Sequence, residues 1–320
     1  MPGRLCLNGH IDVVGPGSEP WQRDPFSGAI DAGRLHGRGA VDMKGAVVAA
    51  LHALAALRRS GVETPEVVLQ AVASEEDGGL GTFAALEHDA DFDAALLPEP
   101  TGLRVVCAQA GALTFRGVVP GRSAHAAERL AGCSAIDRYV RVHLALAAHE
   151  VAVNAHIQHP LMRALPLPYP LLVGRVAGGD WSSQVPDRLE FEGRLGVPVG
   201  ADPEEARTAL QAVVDKALDD GEAPCRLVWE GGAFGPAETA TDDPWVGTVR
   251  SALRDELGSE PPLAGVPWGA DMRLFTARGI PTVMVGTTGI ELAHAVDESV
   301  SLAELATVAR TIIRAVLRWR

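Results

Sequence analysis

The chain has 320 residues, 47% of them hydrophobic and 22% charged, which excludes a disordered protein and leaves room for two globular domains. Its net charge of -13 comes from 28 Lys and Arg against 41 Asp and Glu. With no basic stripe in the sequence, this argues against a nucleic-acid partner, because phosphate binding needs clustered cations. The four cysteines are scattered with no C-x-x-C pair, so neither a cysteine zinc site nor a disulfide framework is expected. No secretory leader is visible, and the apolar stretch 46–57 is too short to span a membrane. A soluble, cytoplasmic protein is expected.

In chain order, apolar runs at 4–7, 67–73 and 92–97 read as buried parallel strands. The Ala- and Leu-rich stretch 44–59 reads as a helix ended by Gly61, and 80–88 as another. This alternation predicts an α/β sheet with helices on both faces. From about residue 111 the texture changes. Stretches 112–119, 171–176, 189–196 and 226–229 read as strands, and 133–151 and 203–218 as helices. That β-α-β-β-α-β order predicts a ferredoxin-like insert. The α/β texture then resumes, with helices at 243–257, 271–277 and 302–317 and strands at 263–266 and 282–285.

In open α/β sheets, functional groups gather at the carboxyl ends of the strands. His10-Ile11-Asp12, Glu75-Glu76 and Glu99-Pro100 all stand at such ends. In an extended segment Asp12 shares a face with His10 and can accept its ring N–H, leaving the other nitrogen for a metal. Asp42 follows Gly37-Arg38-Gly39, where its two oxygens could bridge two ions or simply cap a helix. Adjacent Glu75 and Glu76 repel unless cations or protons relieve them. Pro98 and Pro100 stiffen the backbone around Glu99. His294 arrives from the far end of the chain. Each signal alone fits a surface turn or a loop histidine; five in order at strand ends point to a site for a pair of divalent ions.

The order His-x-Asp, Gly-Arg-Gly-x-x-Asp-Met-Lys-Gly, Glu-Glu, Glu-Pro-Thr and a late His resembles the M20 family of metallopeptidases and deacylases over almost the whole chain. The resemblance implies a zinc-peptidase-like α/β catalytic domain with a mixed, mostly parallel sheet (1–111 and 230–320). It also implies an inserted ferredoxin-like α+β lid and dimerisation domain (112–229). His10 and Glu99 match ligands of one zinc, Glu76 and His294 ligands of the other, and Asp42 the carboxylate that bridges them. Glu75 matches the general base and Asp12 the acid that orients His10. Within Gly121-Arg122-Ser123-Ala124-His125-Ala126, His125 matches a histidine that reaches a neighbouring subunit's active site and stabilises the oxyanion.

The resemblance therefore implies a hydrolase with two Zn2+ ions, Co2+ being a substitute, that removes an N-acyl group from a small amino-acid-like substrate. It further implies a homodimer with no membrane or nucleic-acid partner. Arg273 and Arg194 are candidate partners for a substrate carboxylate, since Arg binds carboxylates through two parallel bonds. A dipeptidase or carboxypeptidase is the alternative within the family, and an inactive dimerising member is a further one. Only nine residues precede His10, fewer than members usually have, which predicts apolar surface left open on the catalytic domain.

Overall fold

The computed structural model describes residues 3–319. Its elements in chain order are β1 (Leu5–His10), β2 (Ile30–Asp31), β3 (Arg34–His36), α1 (Gly45–Ser60), β4 (Val67–Val72), α2 (Leu80–His88), β5 (Ala94–Leu97), β6 (Val105–Gln109) and β7 (Gly111–Pro120). They continue with α3 (Ala135–Asn154), β8 (Leu171–Gly178), β9 (Arg188–Val197), α4 (Pro203–Ala217), β10 (Leu227–Phe234), β11 (Ala237–Glu238) and α5 (Pro244–Leu257). The last are β12 (Leu263–Val266), α6 (Met272–Thr276), β13 (Thr282–Met284), β14 (Ser299–Ser301) and α7 (Leu302–Arg318). The chain divides into two compact units. One runs to Ala108 and resumes over Ala237–Gly265 and from Ala270 on. The other is Gln109–Pro236 together with Val266–Gly269, a short return that sequence reading leaves in the catalytic portion.

The first unit holds a sheet in the order β11-β6-β13-β5-β1-β4, with β12 also paired to β6. β1 runs parallel to β4 and β5, and β13 parallel to β5, whereas β13 pairs antiparallel with β6. The sheet is therefore mixed and mostly parallel, as the alternating pattern predicts. Its centre is apolar throughout: Leu5, Leu7, Leu96 and Leu97 are at most 1% exposed. β4 departs from the expectation of a buried strand. It is the edge of the sheet, and most of its residues are only half-buried.

Helix ends follow local chemistry. Gly61 ends α1 in the left-handed region (φ 68°), where a residue without Cβ is unstrained. Asp243 and Ser301 cap α5 and α7 by accepting the Trp245 and Glu304 N–H groups, which satisfies amides that no preceding turn can. Sequence reading takes 46–57 as the longest apolar stretch. The structure joins a longer one, Ala40–Ser60, 21 residues with enough length and apolarity to cross a membrane, and more than half of its most apolar window is buried inside the fold. A groove of about 810 Å³ lies open between α1 and α7, lined by Phe26, Leu35, Val48, Ala53, Leu305 and Ile313. A second, three-stranded sheet, β14-β3-β2, escapes sequence reading because strands of two or three residues carry no periodicity.

The second unit is an antiparallel sheet in the order β10-β7-β9-β8. With α3 after β7 and α4 after β9, this is the ferredoxin-like arrangement expected from the strand–helix order. Its core packs Phe115, Phe191, Leu195, Val142, Leu146, Leu210 and Val214 between sheet and helices. Phe115 sits at the centre, edge-on to Phe191 (ring centroids 6.2 Å) and to Trp229 (5.8 Å). Phe115→Ala deletes a ring that is 0% exposed and is expected to cost about 3–5 kcal/mol. Calorimetry should show the loss as a lowered unfolding midpoint; an unchanged midpoint would contradict this packing.

Candidate metal centre

The parallel strands β4, β1 and β5 end on one edge of the first unit's sheet, and separate loops bring side chains to that edge. His10 is the last residue of β1 and is 1% exposed. Its Nδ1 lies 3.0 Å from Asp12 O and 3.5 Å from Asp12 Oδ1. The orienting hydrogen bond foreseen for the Asp12 carboxylate is made by the Asp12 carbonyl, with Oδ1 nearby but outside hydrogen-bond contact. The other carboxylate oxygen of Asp12 accepts the Glu76 N–H at 3.2 Å, so one residue ties the end of β1 to the Glu75-Glu76 loop.

Asp42 lies in the turn Ala40–Lys44, between β3 and α1. It does not cap the helix. Its Oδ1 is 3.1 Å from His10 Nε2, and its Oδ2 is 3.3 Å from His294 Nε2. A carboxylate that turns one oxygen to each of two imidazoles has the geometry of a bridge. His294 Nε2 is also 3.0 Å from Glu76 Oε2, and donor atoms of His10, Asp42 and Glu76 lie within 4.8 Å of one another. The His294 side chain remains 53% exposed, so the cluster opens to solvent on that side.

Glu75 and Glu99 are 7% and 4% exposed. Among the described residues neither carboxylate takes a hydrogen bond or an ion pair. Burial, then the charges of Glu99 and Asp271, push the Glu75 carboxyl well above its usual range. Burial lifts Glu99 to about 8, against the opposing pull of His10. Burial disfavours the His10 cation, but its hydrogen bond to Asp42 and the charges of Glu99, Asp42 and Glu75 outweigh that and raise it to about 11. His294 rises to about 10 through its bonds to Asp42 and Glu76. Burial would raise Asp42, yet the two imidazoles hold it well below the ordinary carboxylate range.

The structure thus gathers His10, Asp12, Asp42, Glu76 and His294 by direct contact, with Glu75 and Glu99 in the same field. Each of the two arginines expected to face a substrate carboxylate donates to a main-chain carbonyl. Arg273 Nη2 donates to Gly78 O at 2.7 Å, and Arg194 Nη2 donates to Pro267 O at 3.1 Å. Burial depresses both guanidinium groups. His125 belongs to the second unit. It is exposed, and its Nδ1 accepts the Ala127 N–H at 3.1 Å, capping the turn Ala126–Ala131.

Sequence reading gives no role to Asp271 or to Glu298. Asp271 is 1% exposed, and burial raises its carboxyl. It packs so closely under the Glu75 loop that a Cβ on Gly79 (φ 77°) would fall 2.1 Å from its Oδ1. Only glycine fits there. Glu298 stands four residues past His294 and is 0% exposed; an acid so near a candidate ligand was the available signal.

Two imidazoles among carboxylates suit zinc and neighbouring first-row divalent ions. The electrostatics agree: without cations, protons on His10, His294 and Glu99 have to balance the acids. Buried acids that need positive charge, beside a carboxylate base left unpaired, are what a metal-dependent hydrolase of amide bonds requires. Within that class, the model of peptidase family M20/M25/M40 matches residues 6–318, and the chain belongs to that family. It is 30% identical over 331 residues to a succinyl-diaminopimelate desuccinylase of Alkalilimnicola ehrlichii, covering 98% of this chain and 83% of the relative. It is 27% identical over 311 residues to an acetylornithine deacetylase of Photorhabdus laumondii, covering 94% and 76%. Its fold matches that of the Bacillus subtilis YXEP protein, described as a dinuclear metal-binding M20 peptidase. That match has a TM-score of 0.68 at 17% identity and covers 99% and 82% of the two chains.

Ligands must lose their protons to bind metal. With His10 at about 11 and His294 at about 10 in the metal-free site, zinc uptake near pH 7 is expected to release protons. Affinity should then rise between about pH 6 and about pH 8. Calorimetry in buffers of different ionisation enthalpy measures the release; uptake that liberates no protons would contradict these assignments.

Proposed function

We propose that the chain is a dinuclear zinc-dependent amide hydrolase that removes an N-acyl group from a small, amino-acid-like substrate. The observation that carries this reading is Asp42, with one oxygen turned to His10 and the other to His294. In this reading His10 and Glu99 hold one ion, Glu76 and His294 hold the other, and Asp42 is shared. The likeness to a dinuclear metal-binding peptidase supports the count of two, and cobalt suits the same donors. Bound ions would lower the pKa of water and polarise the scissile carbonyl.

The chain's own residues supply the proton chemistry. Glu75 takes the proton of the attacking water and later returns it to the leaving amine. A base that must also act as an acid works best when its proton affinity lies near the working pH, and the burial of Glu75 moves it in that direction. Asp12 fixes the His10 ring so that Nε2 faces the site. The names of the two relatives, a desuccinylase and a deacetylase, favour an N-acyl substrate over a peptide.

The second unit serves as lid and dimer contact in the same reading, with His125 as the oxyanion donor. For the dimer contact alone, the support is that the edge strand β8 exposes Leu172 and Val176, and α3 exposes Leu144 and Val151.

Glu75→Gln is expected to keep the metals and to lower kcat by about 10²–10⁴. A variant that retains more than about a tenth of wild-type turnover would remove Glu75 from the mechanism. Purified protein should carry about two zinc ions per chain, and chelation should abolish turnover. N-succinyl and N-acetyl amino compounds should be cleaved in preference to dipeptides. Turnover confined to dipeptides would replace the deacylase reading with a dipeptidase.

A further inference from the structure

Glu298 has no atom in the candidate metal cluster, yet its carboxylate is fully engaged beside it. Oε2 accepts from Arg38 Nη1 at 2.7 Å and from the Gly39 N–H at 3.1 Å. Oε1 accepts from the Val41 N–H at 2.8 Å and from the Asp42 N–H at 3.2 Å. A carboxylate offers about four acceptor sites, and the segment 38–42 fills all of them. The Glu298 and Arg38 side chains are 1% and 2% exposed. The main chain adds to the tie: Gly37 N–H donates to Glu298 O at 2.9 Å, and Ser299 pairs with His36 in the β14–β3 register.

The consequence lies at both ends of this tie. One end is the amide of Asp42, whose oxygens face His10 and His294. The other end is the loop that carries His294. That loop places two non-glycine residues, His294 (φ 63°) and Asp297 (φ 58°), in the left-handed region, a conformation that persists only where surroundings enforce it. A loop free of Glu298 would relax away from Asp42, and half of the second ligand set would leave with it.

Resting on the dinuclear reading above, we infer that Glu298 is a positioning residue. It locks the Asp42 turn to the His294 loop so that the two ion sites form as one unit. Arg38 balances its charge, while the bonds to Val41 and Asp42 do the positioning.

The test compares three variants of the full chain by zinc calorimetry, thermal unfolding and steady-state kinetics. Glu298→Gln turns an amide N–H toward one set of donors. Glu298→Asp keeps the charge but is one methylene too short to reach both. Arg38→Met removes the ion pair and leaves the bonds to Val41 and Asp42. Both Glu298 variants should bind zinc at least about tenfold more weakly, with kcat reduced more than KM changes. Arg38→Met should lose comparable thermal stability and keep zinc affinity within about threefold. If all three lose stability alike and bind two zinc ions as wild type does, Glu298 is only structural and the inference fails. If wild type binds no zinc, the dinuclear reading fails and this inference falls with it.

Hydrogen exchange of the wild type decides the matter should the Glu298 variants not fold. The amides of Val41 and Asp42 and those of 294–297 should gain protection at the same zinc concentration. Separate transitions would overturn the inference.

Discussion

Like-charge crowding is the constraint on which the first unit depends. Asp12, Asp42, Glu75, Glu76, Glu99 and Asp271 converge on one sheet edge, and of these Glu75, Glu99 and Asp271 are buried. Two like charges about 4 Å apart repel by about 4 kcal/mol at an effective dielectric of about 20. Such a cluster exists only where positive charge or protons compensate it. The raised carboxyls of Glu75 and Glu99 and the raised imidazoles of His10 and His294 are that compensation in the absence of cations. The same acids that give affinity for divalent ions make the metal-free edge depend on protons.

Folding against that repulsion requires each loop to have its own anchor. The Asp12 carboxylate holds the Glu76 amide, and Arg273 holds the Gly78 carbonyl. Thr101 Oγ1 accepts the Gly286 N–H at 2.9 Å and so ties the loop after Glu99 to the one after β13. Glu304, the third residue of α7, takes the Thr288 N–H and hydroxyl instead of closing back on its own helix. Ser74, immediately before Glu75, is another non-glycine residue in the left-handed region (φ 61°), one of five among the described residues with Ala32, Leu103, His294 and Asp297. Backbone of this kind costs about 1–3 kcal/mol per residue, and three of these positions, Ser74, His294 and Asp297, lie in the loops that carry Glu75, Glu76 and His294.

Much of the architecture was legible because it rests on periodicity. The buried strands β1 and β5, the Ala-rich α1 and the ferredoxin-like order of the second unit follow from apolar patterning and caps. The candidate ligands were legible for another reason: each acid or histidine beside a Gly or Pro turn fits a surface turn by itself, and only their recurrence in order at strand ends marks a site. What escaped reading depends on contacts distant in sequence. β2, β3 and β14 are too short to show a period, and only their pairing across residues 30–36 and 299–301 makes them a sheet. Glu298 finds its partners 256–260 positions earlier. Asp271 gains its place from a glycine in another loop.

The two arginines show the same limit in the functional reading. A guanidinium suits a carboxylate ligand and a main-chain carbonyl equally well, and sequence cannot say which one burial will leave in reach. Arg273 and Arg194 spend a donor on carbonyls, and for Arg273 that carbonyl belongs to the loop carrying Glu75 and Glu76. That bond ties Arg273 to the shape of that loop. Ligands held by such contacts before any ion arrives have already lost their freedom in folding, so less of the binding energy goes into ordering them. Asp42, already placed between two imidazoles by a turn that Glu298 clamps from beneath, is the clearest case. In the proposed reading, an exchange of protons for ions there would proceed around a carboxylate that has little distance left to move.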